Sequence, residues 1–146
     1  MTHAYLAEVA DLWVASWATT MPAIDFEARR GWFVDHIVAA MERGETLRVA
    51  MTQTGDVAGL VMIDPRSGYL DQIVVGVDWW GKGVAEALIG EARRVSPRRV
   101  ALTVNQDNPR AVAFYKRIGF AVVGEGANPT SGLKTYDLEW RPAATE

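Results

Sequence analysis

The sequence predicts an α/β fold in which helices flank a mixed, mostly antiparallel sheet. Three observations support this prediction: amphipathic helical segments at the start, alternating segments joined by short turns in the middle, and a helix–strand–helix–strand order afterwards. The chain has 146 residues, of which 49% are hydrophobic and 23% charged. These values are typical of a single domain with its own core.

Two helices are predicted in residues 1–45. Apolar residues recur at helical spacing over 4–18, and a second helix is expected over 26–43. Asp25 is its predicted N-cap, and Gly44 follows its end. Its expected apolar face consists of Trp32, Phe33, Ile37, Ala40 and Met41.

From Thr46 onwards the apolar period changes to two, which predicts strands at 46–51, 57–63 and 69–77. Short turns between them favour an antiparallel meander. A helix beginning near Gly81 then leads to an apolar strand at 99–105, and this step predicts a right-handed crossover to a parallel neighbour.

A short helix follows, with Asn108 as its N-cap and Gly119 at its end. Closing strands are expected at 120–123 and 133–140. We therefore expect residues 46–141 to form the sheet and its flanking helices, with residues 1–45 as a helical segment beside them.

The composition excludes several chemistries. There are no cysteines, so disulfides, cysteine-ligated zinc and a cysteine nucleophile are absent. The two histidines, His3 and His36, form no metal-binding motif, and we expect no metal. A net charge of −3 disfavours nucleic acid as the main partner. No apolar stretch reaches the ~20 residues that span a membrane, and no signal peptide is evident, so a cytoplasmic location is expected.

The turn from Trp80 to Ala85 has the composition of a phosphate site. Gly81 and Gly83 allow the backbone to approach a ligand, the following helix start offers free N–H groups, and Lys82 adds a positive charge. One interpretation is a Walker A loop, but Gly83 occupies the place of its Mg²⁺-binding hydroxyl. The alternatives are a shorter turn that holds pyrophosphate without metal, and a turn without any ligand.

The stretch from Asn108 to Phe120 reads N-P-R-A-V-A-F-Y-K-R-I-G-F. Here the sequence resembles the GNAT superfamily of N-acetyltransferases. The family's N-x-x-A-x-x-F-Y-x-x-x-G-F helix aligns with this stretch, and its Q/R-x-x-G-x-G/A turn aligns with Trp80 to Ala85. The resemblance covers roughly residues 46–140. Two departures stand out: Trp80 replaces the usual Gln or Arg, which removes a side-chain contact to pyrophosphate, and the family's opening strand is short or missing.

The resemblance implies direct transfer of an acetyl group from acetyl-CoA to an amine in a ternary complex. Backbone groups near Val75 are then expected to meet the pantetheine arm, with Gly76 marking a bulge or a splay that exposes them. The cofactor residues implied in this way are Ile73, Val75, Trp80, Gly81, Lys82, Gly83, Val84, Ala85, Asn105, Asn108, Ala111 and Tyr115.

Two residues are candidates for catalysis. Tyr115 occupies the family's tyrosine position, and a phenol, with a pKa near 10, is protonated at neutral pH and able to protonate a departing thiolate. The alternative is that Tyr115 only packs. Asp71 is expected to share a strand face with Ile73 and Val75, which makes it the candidate base; the alternatives are ordered water and a solvated surface acid.

The first helices correspond to the segment that walls the acceptor pocket in this family. We expect Trp17, Met21 and Asp25 to contact a small amine acceptor, and Trp32 and His36 lie in the same segment. The alternative for the tryptophans is core packing. The family also forms dimers, so a homodimer is considered. The rival functions are a non-catalytic acyl-CoA sensor or regulatory protein and a P-loop nucleotide hydrolase.

Overall fold

The computed structural model of the protein describes residues 6–20, 23–129 and 131–142. Its elements in chain order are α1 (Leu6–Thr20), α2 (Arg30–Glu42), β1 (Thr46–Met51), β2 (Val57–Ile63), β3 (Leu70–Val75), α3 (Val84–Val95), β4 (Val100–Asn105), α4 (Pro109–Arg117), β5 (Ala121–Ala127) and β6 (Lys134–Trp140), with one-turn 3₁₀ helices at Glu27–Arg29 and Val77–Trp79. The residues before α1, where the family's opening strand was expected to be short or missing, lie outside the described part of the chain. None of their helices is long and apolar enough to cross a membrane.

The six strands form two antiparallel sheets that meet along one edge. One sheet has the order β1-β2-β3 and the other the order β4-β6-β5. A single parallel bridge, from Tyr69 just before β3 to Ala101 of β4, connects them. The predicted parallel contact between these strands is thus confirmed, and so is the predicted fold class. Among the described residues no further pairs join β3 to β4, so a gap opens between them towards Val75 and Asn105.

Helices α1 and α2 cover one face of the first sheet. Trp13 of α1 stacks on Phe33 of α2, with ring centroids 4.6 Å apart, inside a buried aromatic and aliphatic cluster. Trp32, predicted to lie on the buried face of α2, is 57% exposed. The reason is helical geometry: one residue turns the helix by about 100°, and Phe33 occupies the position directed at the sheet.

Helices α3 and α4 lie on the opposite face, where a second apolar cluster fills the space between the two sheets. α3 contributes Leu88, Ile89 and Ala92, and α4 contributes Tyr115. This cluster brings the start of α3, the edge of β3 and one side of α4 close together. The predicted cofactor residues lie mainly on these three elements.

A bulge in β3 changes which side chains share a face. The consecutive residues Met62 and Ile63 of β2 pair with β3 residues that are two positions apart, which leaves Asp71 as the extra residue. An extra residue breaks the alternation of side chains along a strand. The Asp71 carboxylate therefore meets His36 of α2, whereas Ile73 packs against the cluster under α3. The prediction that Asp71 shares a face with Ile73 is wrong for this reason.

Candidate active site

A cleft of about 840 Å³ opens between β3, the start of α3 and α4. Its volume lies in the range of small-molecule and cofactor sites. The structure brings ten of the predicted cofactor residues into its wall. They are Ile73, Val75, Trp80, Gly81, Gly83, Val84, Ala85, Asn108, Ala111 and Tyr115.

The turn before α3 depends on two glycines. Gly81 and Gly83 have φ values of +74° and +83°, in the left-handed region that favours glycine. A Cβ at either position meets nothing within 4 Å, so backbone shape rather than crowding requires glycine here. The first hydrogen bond of α3 runs from the N–H of Ala87 to the carbonyl of Gly83 at 3.1 Å. The earlier N–H groups of the helix have no helical acceptor and form an anion-binding helix start.

The edge of β3 presents backbone groups to the gap. The N–H of Gly76 donates to the carbonyl of Ala58 in β2 at 2.8 Å, so Gly76 continues the ladder and forms no bulge. The other predicted possibility, a splay, agrees with the parting of β3 and β4 at this end. Since backbone groups alternate in direction along a strand, those of Val75 point away from β2. The Val75 carbonyl accepts hydrogen bonds from Trp80 Nε1 at 2.9 Å and from Ser16 Oγ at 3.1 Å. The Val75 N–H lies on the same, gap-facing edge.

Two predicted cofactor residues, Lys82 and Asn105, do not line the cleft. The Lys82 Nζ lies 5.4 Å from the centre of the Trp79 ring, on a larger groove of about 1090 Å³ on the other side of the turn. That groove carries two aspartates beside this one lysine, whereas the smaller cleft carries Glu86 beside two arginines. The charge balance therefore favours an anionic ligand in the smaller cleft. Asn105 ends β4, and its carbonyl accepts from the N–H of Asn108 at 3.2 Å.

Helix α4 is held at its start by the predicted cap. The Asn108 Oδ1 accepts a hydrogen bond from the N–H of Ala111 at 3.2 Å, with proline at the first helical position. Arg110 and Arg117, which the sequence analysis did not select, also line the cleft. They lie two helical turns apart, on the side of α4 that carries Phe114. This spacing of two arginines along one helix face is the sequence signal that could have identified them.

Tyr115 lies in the cleft wall and is only 8% exposed. Its ring makes edge contacts with Phe114 and Phe120, at centroid distances of 5.2 Å and 5.4 Å. This burial raises the pKa of the Tyr115 phenol to about 12, because an apolar environment disfavours the phenolate. The side chain is therefore a neutral hydrogen-bond donor at physiological pH. Tyr115 therefore packs in the apolar cluster and also lines the cleft.

Asp71, the predicted base, lies on the other face of β3 and has a partner. Its Oδ2 is hydrogen-bonded to Nε2 of His36, and the two side chains are 25% and 26% exposed. The His36 ring stacks on Trp32, with centroids 5.0 Å apart. Within the described segments no cluster of three metal-ligating side chains forms here or elsewhere. Sequence analysis missed this pairing, because α2 and β3 approach each other only in the folded chain.

The predicted acceptor residues have structural roles where they are described. Trp17 stacks on Phe26 at 5.9 Å and packs against the core, as the alternative interpretation held. The exposed Asp25 accepts a hydrogen bond from the N–H of Ala28 at 3.1 Å and so caps the one-turn helix before α2. Met21 lies outside the described residues. Thr19, near the end of α1, does line the cleft.

The edge of β3, the glycine turn and the buried phenol thus come together in one cleft. The sequence model of the Acetyltransferase (GNAT) family matches residues 5–120. Because this is most of the chain, the protein belongs to the GNAT acetyltransferase family, as the resemblance predicted. It is an acetyl-transferring enzyme.

Individual relatives agree with this assignment. Peptidyl-lysine N-acetyltransferase YjaB of Escherichia coli (strain K12) is 27% identical over 131 residues, which cover 90% of this chain and 85% of that protein. L-amino acid N-acetyltransferase AaaT of Escherichia coli (strain K12) is 36% identical over 83 residues, 49% of this chain and 51% of that protein.

Solved structures show the same fold. The solution structure of apo YjaB from Escherichia coli has a TM-score of 0.73 and 23% identity, and covers 96% of this chain and 93% of that chain. An N-acetyltransferase, PaiA, from Thermoplasma acidophilum in complex with coenzyme A has a TM-score of 0.75 and 15% identity, and covers 97% of this chain and 96% of that chain.

Proposed function

We propose that the protein transfers the acetyl group of acetyl-CoA directly to a primary amine of a small acceptor molecule. The observation that carries this proposal is the cleft in which the glycine turn, the edge of β3 and Tyr115 come together. The chain contains no cysteine, so no thiol of the protein holds the acetyl group as a thioester intermediate. This favours direct transfer from acetyl-CoA to the acceptor in a ternary complex. When bound, acetyl-CoA supplies the acetyl group in activated thioester form.

The cleft suits an elongated anionic molecule. The N–H groups at the start of α3 attract a pyrophosphate, and Arg110 and Arg117 add positive charge to the same wall. The Val75 N–H, on the gap-facing edge of β3, is placed to hydrogen-bond an amide of the pantetheine arm. Asn108 and Ala111 of α4 form the opposite wall, and together these contacts orient the thioester end towards Tyr115.

Tyr115 stabilises the departing sulfur in this proposal. Burial raises its pKa to about 12, whereas an ordinary thiol has a pKa of about 8.5. Complete proton transfer from the phenol to the thiolate is therefore uphill by roughly 5 kcal/mol. Tyr115 acts as a hydrogen-bond donor, in a contact worth about 1.5–3 kcal/mol to a charged partner, and water delivers the proton. This modifies the full proton donation expected from the sequence.

The names of the relatives support an amine nitrogen as the acceptor. YjaB is named for peptidyl-lysine and AaaT for L-amino acids, and both groups of compounds carry primary amines. A primary amine is protonated at neutral pH and must lose a proton before it attacks a carbonyl carbon. In this proposal the pair of Asp71 and His36, on the face of β3 opposite the cleft, receives that proton.

Calorimetric titration of the purified protein with acetyl-CoA, beside Mg²⁺-ATP, is the first test. We expect binding of acetyl-CoA and no heat with ATP. A panel of amino acids, polyamines and a lysine-containing peptide is then incubated with acetyl-CoA, and free thiol release is compared with product mass. Preference for the peptide over every small amine contradicts the small-acceptor part of the proposal.

Two outcomes favour the rival functions. Acetyl-CoA binding without acetylation of any amine favours a non-catalytic acyl-CoA-binding protein. Heat with Mg²⁺-ATP and none with acetyl-CoA favours the nucleotide hydrolase, for which Gly83 lacks the metal-binding hydroxyl.

A further inference from the structure

His36 and Asp71 form a polar pair between α2 and β3 that is partly open to solvent. The His36 Nε2 bonds the Asp71 Oδ2, and about a quarter of each side chain is exposed. The indole of Trp32, one helical turn earlier, stacks on the imidazole with an angle of 16° between the rings. One ring edge of His36 is thus fixed by a carboxylate and one ring face by an aromatic plane.

The bulge in β3 decides where this pair lies. It directs Asp71 to the α2 side of the strand, while Ile73, two residues later, lines the cofactor cleft on the other side. β3 and β4 are bridged at Tyr69 and Ala101 and part beyond that point. The pair therefore stands beside the closed end of the gap between the strands. A molecule that approaches the gap from the α2 side, opposite the cleft, passes close to this pair.

The surface beside the pair is polar and open. Tyr69, which is 43% exposed, places its hydroxyl 3.5 Å from Oγ1 of Thr103 in β4. The Thr103 hydroxyl also donates to Oδ1 of Asp137 in β6 at 3.2 Å. These hydrogen-bonding groups lie on the side of the second sheet away from its apolar cluster. None of these groups lines the cleft, so the polar face that carries the pair is separate from it.

The geometry points to His36 as the base of the reaction and to Asp71 as the residue that positions it, an inference that rests on the proposed acetyl transfer. A carboxylate bonded to one ring nitrogen keeps the proton on that nitrogen and leaves the other with a free lone pair. With Asp71 on Nε2, the lone pair is on Nδ1. Histidine is also the side chain most often used for this task, and a carboxylate is ordinarily a weaker base.

The step balances without a further reactant. The ammonium form of the acceptor first loses one proton to water through Nδ1 of His36. The neutral nitrogen then attacks the carbonyl carbon, Nδ1 accepts the second proton that this nitrogen loses, and the nitrogen–carbon bond forms as the carbon–sulfur bond breaks. The electron pair of that bond leaves with sulfur, where Tyr115 donates a hydrogen bond. His36 then gives its proton to water. The Asp71 carboxylate keeps its hydrogen bond to Nε2 and stabilises the imidazolium.

The tautomer of His36 is the first test, and it needs neither cofactor nor turnover. His3 and His36 are the chain's two histidines, so the His3→Gln variant leaves one imidazole for NMR of the ring nitrogens. We expect the proton on Nε2 at mildly alkaline pH. In Asp71→Asn the amide is able to donate to Nε2, so the proton moves to Nδ1. The matched control Asp35→Asn, next to His36 in the chain, leaves the spectrum unchanged. A wild-type proton on Nδ1 overturns the assignment.

His36→Gln separates a chemical role from a structural one. Its amide N–H still reaches Asp71 and ties α2 to β3, but it has no basic nitrogen. We expect kcat to fall about 100-fold, while the Kd for acetyl-CoA stays within about twofold and the unfolding midpoint within about 3 °C of wild type. Asp71→Asn lowers kcat as well and serves if His36→Gln fails to fold.

The outcomes distinguish this inference from the proposed function. If wild type acetylates an amine and His36→Gln does so at a similar kcat, the pair only ties α2 to β3 and the inference is overturned, while the proposed function stands. If wild type binds acetyl-CoA but acetylates no amine, the proposed function fails and the role of His36 fails with it.

Discussion

Gly83→Ala tests whether the turn before α3 binds the cofactor. Gly83 has a φ of +83°, and a Cβ added there meets nothing within 4 Å, so alanine clashes with nothing but is forced into the left-handed region. That conformation costs about 1–2 kcal/mol for a residue with a Cβ. The strain is relieved if the turn changes shape, and then an N–H at the start of α3 rotates away from the phosphate. Loss of one such charge-assisted hydrogen bond costs about 1.5–3 kcal/mol.

We therefore expect Gly83→Ala to bind acetyl-CoA about 10- to 100-fold more weakly. Gly55→Ala is the matched control. Gly55 lies in the β1–β2 turn with a φ of +88° and likewise has nothing within 4 Å of a Cβ, so it carries the same strain away from the cleft. Calorimetry gives the Kd values for acetyl-CoA. Urea unfolding gives the free energies of unfolding, which should fall by the same amount in both variants relative to wild type. Equal acetyl-CoA affinity in the two variants would refute the reasoning.

The remaining predictions concern α4. Tyr115→Phe should lower kcat about 10- to 100-fold with the acetyl-CoA Kd within about threefold, whereas Tyr136→Phe, in the same apolar cluster but outside the cleft, should change neither in the same assays. Because burial raises the pKa of Tyr115 from 10.0 to about 12, the native state keeps a proton that the unfolded state loses. The free energy of unfolding of wild type should therefore fall as pH rises above 10. At pH 11 the loss should be about 1.4 kcal/mol relative to Tyr115→Phe, measured by urea unfolding of both proteins. Asn108→Ala removes the cap bond to Ala111 and should lower the unfolding free energy by about 1 kcal/mol, measured in urea.

Features encoded by short stretches of sequence were predictable. β2 runs from Val57 to Ile63 as expected, because its apolar run is bounded by turn residues on both sides. The cap at Asn108 and the glycines of the turn before α3 were predicted from residue type alone, since each has a local geometric reason to be there. Ten of the twelve cofactor residues that the family resemblance implied line one cleft.

Features that depend on a neighbouring strand or helix were not predictable. The face of Asp71 follows from its pairing register with β2, and no pattern within β3 reveals a bulge. The pairing with His36 depends on how α2 crosses that strand. β5 extends to Ala127 rather than ending at Val123, and it was underestimated because the glycines at 124 and 126 supply no apolar alternation.

Trp80 shows how a departure from the family pattern contributes to the site. It replaces a residue expected to contact pyrophosphate through its side chain, yet its indole N–H bonds the carbonyl of Val75. Since the hydroxyl of Ser16 donates to the same oxygen, the cofactor turn, the edge of β3 and α1 are joined at one atom. This junction fixes the gap-facing edge of β3 before any cofactor binds, so less conformational freedom is lost on binding. In the proposed function the backbone N–H groups at the start of α3 bind the phosphates without help from residue 80, so its side chain is available to hold the strand.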